Sequence, residues 1–264
     1  MVTGYAILIL YFAIMISLGI FSFLKIKNSN DFYTAGKKGG TLFVSGSLMA
    51  TILGSSVILG TVDLGFKNGF ASAWWIICAI IGLAVLSLFA HRVRKLGKYT
   101  LPQMIEDFYG KEAGIISSVI IPVAWVGVVT AQIIGASKIM VSFFGMSYSS
   151  GVYTSGIIFI LYTMLGGQVS ILRTDFIQIL LILAGVAVTF FYAFTSEIHL
   201  TANLTNLGFP FNETFNAFDL VVLILTLSTA YFVGPDIYSR LFCARDGKTA
   251  RRSVIIVMLA LIPF

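Results

Sequence analysis

Apolar residues run along this chain in long unbroken blocks rather than alternating every second position. Eight such blocks stand out, at 5–24, 42–65, 70–90, 114–144, 151–165, 176–195, 218–239 and 253–264. A helix rises ~1.5 Å per residue, so ~20 residues cross the hydrocarbon core of a bilayer. Continuous blocks of this length predict membrane-spanning helices rather than barrel strands. The block 114–144 is overlong, and Pro122, Gly127 and Gly135 predict a bend or a strong tilt. The block 151–165 is short and flanked by glycines. The last block, SVIIVMLALIPF, ends after about half a span, which predicts a chain cut within a helix.

The second block contains GSLMATILGSSVILG, residues 46–60. Gly46, Ala50 and Gly54 are spaced four apart, which suits close packing of a neighbouring helix. Gly54, Ser55, Ser56 and Thr51 also permit unwinding, because glycine tolerates unusual dihedrals and hydroxyls compete for backbone groups. An unwound midplane frees carbonyls for a cation and N–H groups for an anion. The spacing leaves both readings open. A second break is expected at Gly234-Pro235, where proline removes a backbone donor from the seventh block.

Composition narrows the class. The chain has 264 residues, 58% of them hydrophobic, 11% charged, and a mean hydropathy of +0.97. That apolar surface exceeds what a water-soluble domain hides, so the chain reads as an all-α integral membrane protein. Fifteen of the seventeen lysines and arginines fall in alternate loops, 25–41, 91–113, 166–175 and 240–252. The positive-inside rule places these loops in the cytoplasm and the N-terminus outside. The net charge of +6 therefore reflects topology and not a nucleic-acid surface. The start lacks a basic n-region and a cleavage site, so no signal peptide is read. The outer loop 196–217 has no basic residue and holds the acceptor patterns Asn203-Leu-Thr and Asn212-Glu-Thr.

Candidate chemistry is sparse. His91 and His199 lie on opposite sides of the membrane by this topology, and Cys78 and Cys243 form no metal or disulfide pattern. No catalytic motif is present, so the chain does not read as an enzyme. Asp175, after GGQVSILRT, fits an interfacial first-turn acid near Arg173, or a carboxylate that handles a cation. Asp236 and Arg240 are four apart, the spacing of a helix-surface ion pair. Trp74 and Trp75 fit an interfacial belt or a cavity wall.

Five motifs, in order, resemble the sodium/solute symporter family, which includes bacterial sodium-coupled sugar, proline, pantothenate and sialic acid carriers. They are DFYTAGKKGG, SLMATILGSSVILGTVDLGF, KYTLPQMIEDFYG, LGGQVSILRTDFIQ and GPDIYSRLFCARDGKTARRS. The resemblance implies a LeuT-like bundle of inverted five-helix repeats. Residues 1–41 would be an extra helix and loop, 42–195 the first repeat, and 218–264 the start of the second. It implies sodium on the carbonyls of Ala50 and Leu53, with Asp175 near the inward exit. It implies a solute pocket at Ser55, Ser56, Val57, Trp75 and Tyr231. Ile52, Val57 and Ile76 stand where sugar and proline carriers hold polar groups, which points to a small carboxylate or amphipathic solute. Sodium-coupled symport across the plasma membrane is then the expected function, with sodium, a small solute and the lipid bilayer as partners and no organic cofactor. The sodium site would be completed by hydroxyls beyond Phe264. The rival expectation is a symporter-like sensor module fused to a signalling kinase.

Overall fold

A computed structural model of the chain describes residues 2–24, 26–96, 99–195 and 208–264. Among these residues the regular structure is helical, with no named strand. Among the described residues, four stretches are long and apolar enough to cross a membrane: Val57–Lys95, Lys111–Phe144, Gly167–Ala193 and Ala217–Cys243. Many apolar side chains on them face outward, such as Phe66, Phe143 and Val188. In a bilayer such faces meet lipid, while each helix satisfies its own backbone.

The helices run in this order: α1 (Val2–Phe23), α2 (Ser29–Thr34), α3 (Thr41–Ile52), α4 (Ser55–Asn68), α5 (Trp74–Lys95), α6 (Leu101–Tyr109), α7 (Lys111–Phe144) and α8 (Tyr148–Thr195). They continue as α9 (Ala217–Leu223), a π turn over Ile224–Ser228, α10 (Thr229–Val233), α11 (Pro235–Cys243) and α12 (Gly247–Ala260). All four stretches expected as loops hold helix: 25–41 contains α2, 91–113 contains α6 between the ends of α5 and α7, and 166–175 and 240–252 are largely helical. The segment 166–175 is interrupted only at Gly167, whose φ of 50° departs from helix, and α8 resumes directly after it. The segment 240–252 shrinks to the turn between α11 and α12. Polar composition marked these stretches as loops, but their backbone bonds are satisfied better within helices that bury Ser170, Thr174, Thr249 and Ser253.

One buried core joins α3, α5, α11 and α12. It is built on Val44, Leu48, Leu83, Leu86, Leu241 and Val254, among others, whereas α8 adds Ile179. A clasp ties the chain entering α3 to the turn between α11 and α12. Gly39 N–H donates to Cys243 O at 2.9 Å, Arg245 N–H donates to Gly39 O at 2.9 Å, and Arg94 Nε donates to Ala244 O. A Cβ at Gly39 would stand 2.7 Å from Cys243 O, so the clasp needs glycine there. The helix α7 has 34 residues and keeps Pro122 in its interior. At ~1.5 Å per residue it outruns a ~30 Å hydrocarbon core.

At the opposite end, residues 208–216 close over the α4–α5 turn. Asn212 Nδ2 donates to Asn68 O at 2.7 Å, Trp74 Nε1 donates to Pro210 O at 3.1 Å, and Phe209 stacks on Trp74. The Asn212 amide that the sequence marks as a glycan acceptor is thus engaged by the chain. Asn203 lies outside the described residues.

Candidate functional site: the broken helix and its neighbours

Between α3 and α4 the backbone leaves helical geometry at two residues. Leu53 has φ −85° and ψ 38°, and Gly54 is extended at φ −66° and ψ 169°. Leu53 N–H closes on Met49 O at 2.8 Å, so the carbonyls from Ala50 to Leu53 lie beyond the last intrahelical bond. The negative end of α3 and the positive end of α4 therefore meet at Gly54. Thr51 Oγ1 donates back to Ser47 O at 2.8 Å, taking a hydroxyl proton into the last turn. A second break lies at Gly234 (φ −59°, ψ 128°), with Pro235 opening α11 where its missing N–H costs nothing.

Asp175 is not a first-turn acid. It stands two turns into the second half of α8, with its side chain 14% exposed. Ser47 donates to Asp175 Oδ2, and Arg240 Nη2 lies 3.3 Å from the same oxygen. Arg173 turns instead toward α1, 3.5 Å from Ser22 Oγ. The expected Asp236–Arg240 surface pair is replaced. Arg240 meets Asp236 through the main-chain carbonyl at 3.5 Å and gives its charge to Asp175. Arg240 and Asp175 are 15% and 14% exposed, and a carboxylate buried that deeply takes the charge that the packing of α8 on α11 brings within reach. Ser47 is three residues before Ala50 on α3, so Asp175 sits about one turn from the first freed carbonyl. These are hard oxygen donors, the set that suits an alkali or alkaline-earth cation.

The expected solute residues divide into two groups. Ser55 and Val57 lie in the first turn of α4, at the break, and Ser55 Oγ donates to Gln132 Oε1 of α7 at 2.6 Å. Ser56 shares that turn; its side chain is outside the described residues. Tyr231 of α10 packs against α5, where a Cβ at Gly82 would stand 2.9 Å from Tyr231 Cβ. One turn away, Ser228 Oγ donates to Cys78 O at 2.9 Å. Trp75 is seven residues before Gly82, ~10 Å nearer the start of α5. Its Nε1 is buried and has no hydrogen-bond partner within the described residues. Ile76 packs at the edge of the core.

Three participants escaped the sequence reading: Ser47, Gln132 and Arg240 as the partner of Asp175. Only Gln132 carried a local signal, an amide in the middle of an apolar helix. Two cavities lie away from the break. One of about 240 Å³ is apolar and lies between α1, α7 and α8. One of about 550 Å³ is lined by Tyr33, Gln103, Glu106, Gln168 and Ser239, among others. Ser239 Oγ accepts from Arg240 Nη1 at 3.0 Å, so this second cavity reaches the residue beside the Asp175–Arg240 pair.

A family model described as "Sodium:solute symporter family" matches residues 32–264. Among curated proteins the chain is similar to the "Uncharacterized symporter YwcA" of Bacillus subtilis (strain 168), 27% identical over 276 residues, covering 96% of this chain and 50% of that protein. Among solved structures it is similar to the substrate-bound outward-open state of a Na+-coupled sialic acid symporter, which has a novel Na+ site. The TM-score is 0.83 and the identity 21%, over 97% of this chain and 56% of that one. This structural likeness is one of fold. The chain spans about half the length of these relatives.

Proposed function

The chain belongs to the sodium:solute symporter family, and from that premise we propose that it supplies the N-terminal part of a carrier that couples inward solute movement to sodium. The observation that carries this reading is the interrupted helix at Leu53-Gly54, with Asp175 held about one turn away by Ser47. Residues 42–195 form the first repeat of an inverted pair and 218–264 open the second. The interruptions at Gly54 and Gly234 then occupy equivalent positions in the two repeats.

Sodium, as cargo, meets the carbonyls of Ala50 and Leu53. Solute occupies the space beside Ser55, Ser56 and Val57, with Trp75 and Tyr231 along α5 and α10. Trp75 Nε1 offers a buried donor that a bound solute can satisfy. When the cytoplasmic side opens, the cation leaves past Asp175 toward the cavity at Ser239. Coupling requires that ion and solute differ in affinity for the outward and inward states. The membrane potential adds ~2.3 kcal/mol per charge per 100 mV.

The test is uptake by proteoliposomes holding the product of the complete gene, under an imposed sodium gradient. The panel comprises small carboxylates, amino acids and sugars, assayed for wild type and Asp175→Ala. Sodium-driven uptake that the variant loses supports the reading. Uptake driven equally by a proton gradient without sodium removes sodium as the coupling ion. Folded protein that moves nothing favours the sensor.

A further inference from the structure

Gln132 interrupts the apolar surface of α7 at the level of the helix break. Its amide lies against the break residue Gly54 and the first residue of α4, Ser55. Ser55 Oγ donates to Gln132 Oε1 at 2.6 Å. A Cβ at Gly54 would stand 3.1 Å from Gln132 Nε2 and 3.3 Å from Oε1. One turn further along α7, a Cβ at Gly135 would stand 2.8 Å from Ser55 Oγ. Two glycines thus leave room for the Ser55–Gln132 pair, and a larger residue at Gly135 would displace Ser55.

The pair has a chemical consequence. A serine hydroxyl has one proton to donate and two lone pairs to accept with. With its proton given to Gln132, the Ser55 oxygen presents a solute with acceptor character alone. We propose that Gln132 is a specificity-determining residue. It orients Ser55 as a hydrogen-bond acceptor, so that the transported solute carries a donor, a hydroxyl or an N–H group, at this point. The inference rests on the symport reading above and adds the class of solute group. Gln132 positions Ser55, and Ser55 touches the solute. With a leucine at 132, the Ser55 proton is free to turn toward a solute acceptor, and the preference for donors fades.

The test uses probes from the solute class that the uptake panel shows to be transported, matched in pairs with and without a donor on the α substituent: lactate against 2-methoxypropionate, or alanine against its N,N,N-trimethyl betaine. Sodium-driven uptake is measured in proteoliposomes for wild type, Gln132→Leu, Ser55→Ala and the double variant, with KM and kcat separated. Wild type is expected to favour the donor-bearing member of a transported pair by ~10-fold in KM, the worth of about one hydrogen bond. In Gln132→Leu that ratio is expected to fall to within ~2-fold, with kcat changed little. A purely structural role would instead lower kcat for both members alike and leave the ratio standing, which overturns the inference. Unfolding midpoints of the same four proteins in detergent give a second readout. Additive effects of the two single substitutions would mean that the Ser55–Gln132 bond is absent, and would overturn the inference whatever the transport result. Absence of sodium-driven uptake of every probe by folded wild type overturns the symport reading, and this inference with it. Uptake with an unchanged donor preference in Gln132→Leu overturns the inference alone.

Discussion

At the residue scale the decisive group is Asp175. A carboxylate at this depth needs a counter-charge, and Arg240 supplies one at 3.3 Å while Ser47 adds a hydrogen bond. Removing one member of a buried pair leaves the other uncompensated, at a cost of about 3–5 kcal/mol. Arg240→Leu is therefore expected to lower the unfolding midpoint in detergent sharply. The double variant Asp175→Leu/Arg240→Leu should recover much of that loss, because neither charge is then stranded. An unchanged midpoint in Arg240→Leu would show that the pair does not form. Gly82 makes the same kind of point through sterics. A Cβ there would overlap the Ser228 carbonyl and stand 2.9 Å from Tyr231 Cβ. Gly82→Ala is expected to cost about 1–3 kcal/mol by forcing α5 and α10 apart. The unfolding midpoint reads the loss.

At the element scale each helix is bounded by local chemistry. Asp246 caps α12, its Oδ1 accepting from Thr249 N–H at 2.7 Å. That main-chain bond, aided by the Thr249 side chain and by Arg245, holds the Asp246 carboxyl below the ordinary carboxylate range. A depressed acid pKa contributes stability that is full above the unfolded value, about 3.9, and is lost as pH falls through the folded value. Fraying at the start of α12 is thus expected only under acid conditions. Hydrogen exchange at Thr249 N–H should speed up as pH falls through that window, beyond its intrinsic pH dependence. Asp246→Asn keeps a capping oxygen and should abolish the excess. Proline and glycine serve the opposite purpose at Gly54 and Gly234-Pro235, ending one helix and starting the next within a span. The sequence offered the break at Gly54 as one of two readings and that at Gly234-Pro235 as an expectation, because both depend on dihedral freedom and missing donors that belong to the residues themselves. It overestimated all four loops expected in the cytoplasm, which hold α2, α6 and parts of α8, α11 and α12; at 166–175 and 240–252 the polar residues are buried by partners remote in sequence.

At the scale of the whole molecule, α3, α5, α11 and α12 share one core to which α8 adds Ile179, and polar contacts also tie α8 to α3 and α11 and α7 to α4. Ser47–Asp175–Arg240 links α8 to α3 and α11, and Ser55–Gln132 links α7 to the start of α4. Alternating access would have to break and remake such contacts, which hydrogen bonds allow more readily than a packed apolar interface. A disulfide linking α8 to α11 near Asp175 and Arg240 is accordingly expected to stop uptake, and reduction to restore it. The proposed orientation has its own test. Single cysteines placed at Lys248 and Thr214 should react with a membrane-impermeant maleimide on opposite faces of intact cells, Thr214 from outside. Both native cysteines are buried and should contribute little background. Labelling of Lys248→Cys from outside would invert the topology.

The sequence by itself determined the solvent and the class of this protein. Long apolar blocks demand a bilayer, and basic residues concentrated in alternate loops suggest an orientation. Ordered motifs carried the family, and the match over residues 32–264 agrees. These properties are local or additive, so a one-dimensional reading reaches them. The pairings were decided only by the tertiary structure. Arg240 finds Asp175 across 65 residues, Ser55 finds Gln132 across 77, and Trp74 finds Pro210 across 136. Each of these choices follows from which helix faces meet and how deeply they are buried. A buried charge or hydroxyl takes the partner that packing brings within reach, whatever its neighbours in sequence offer.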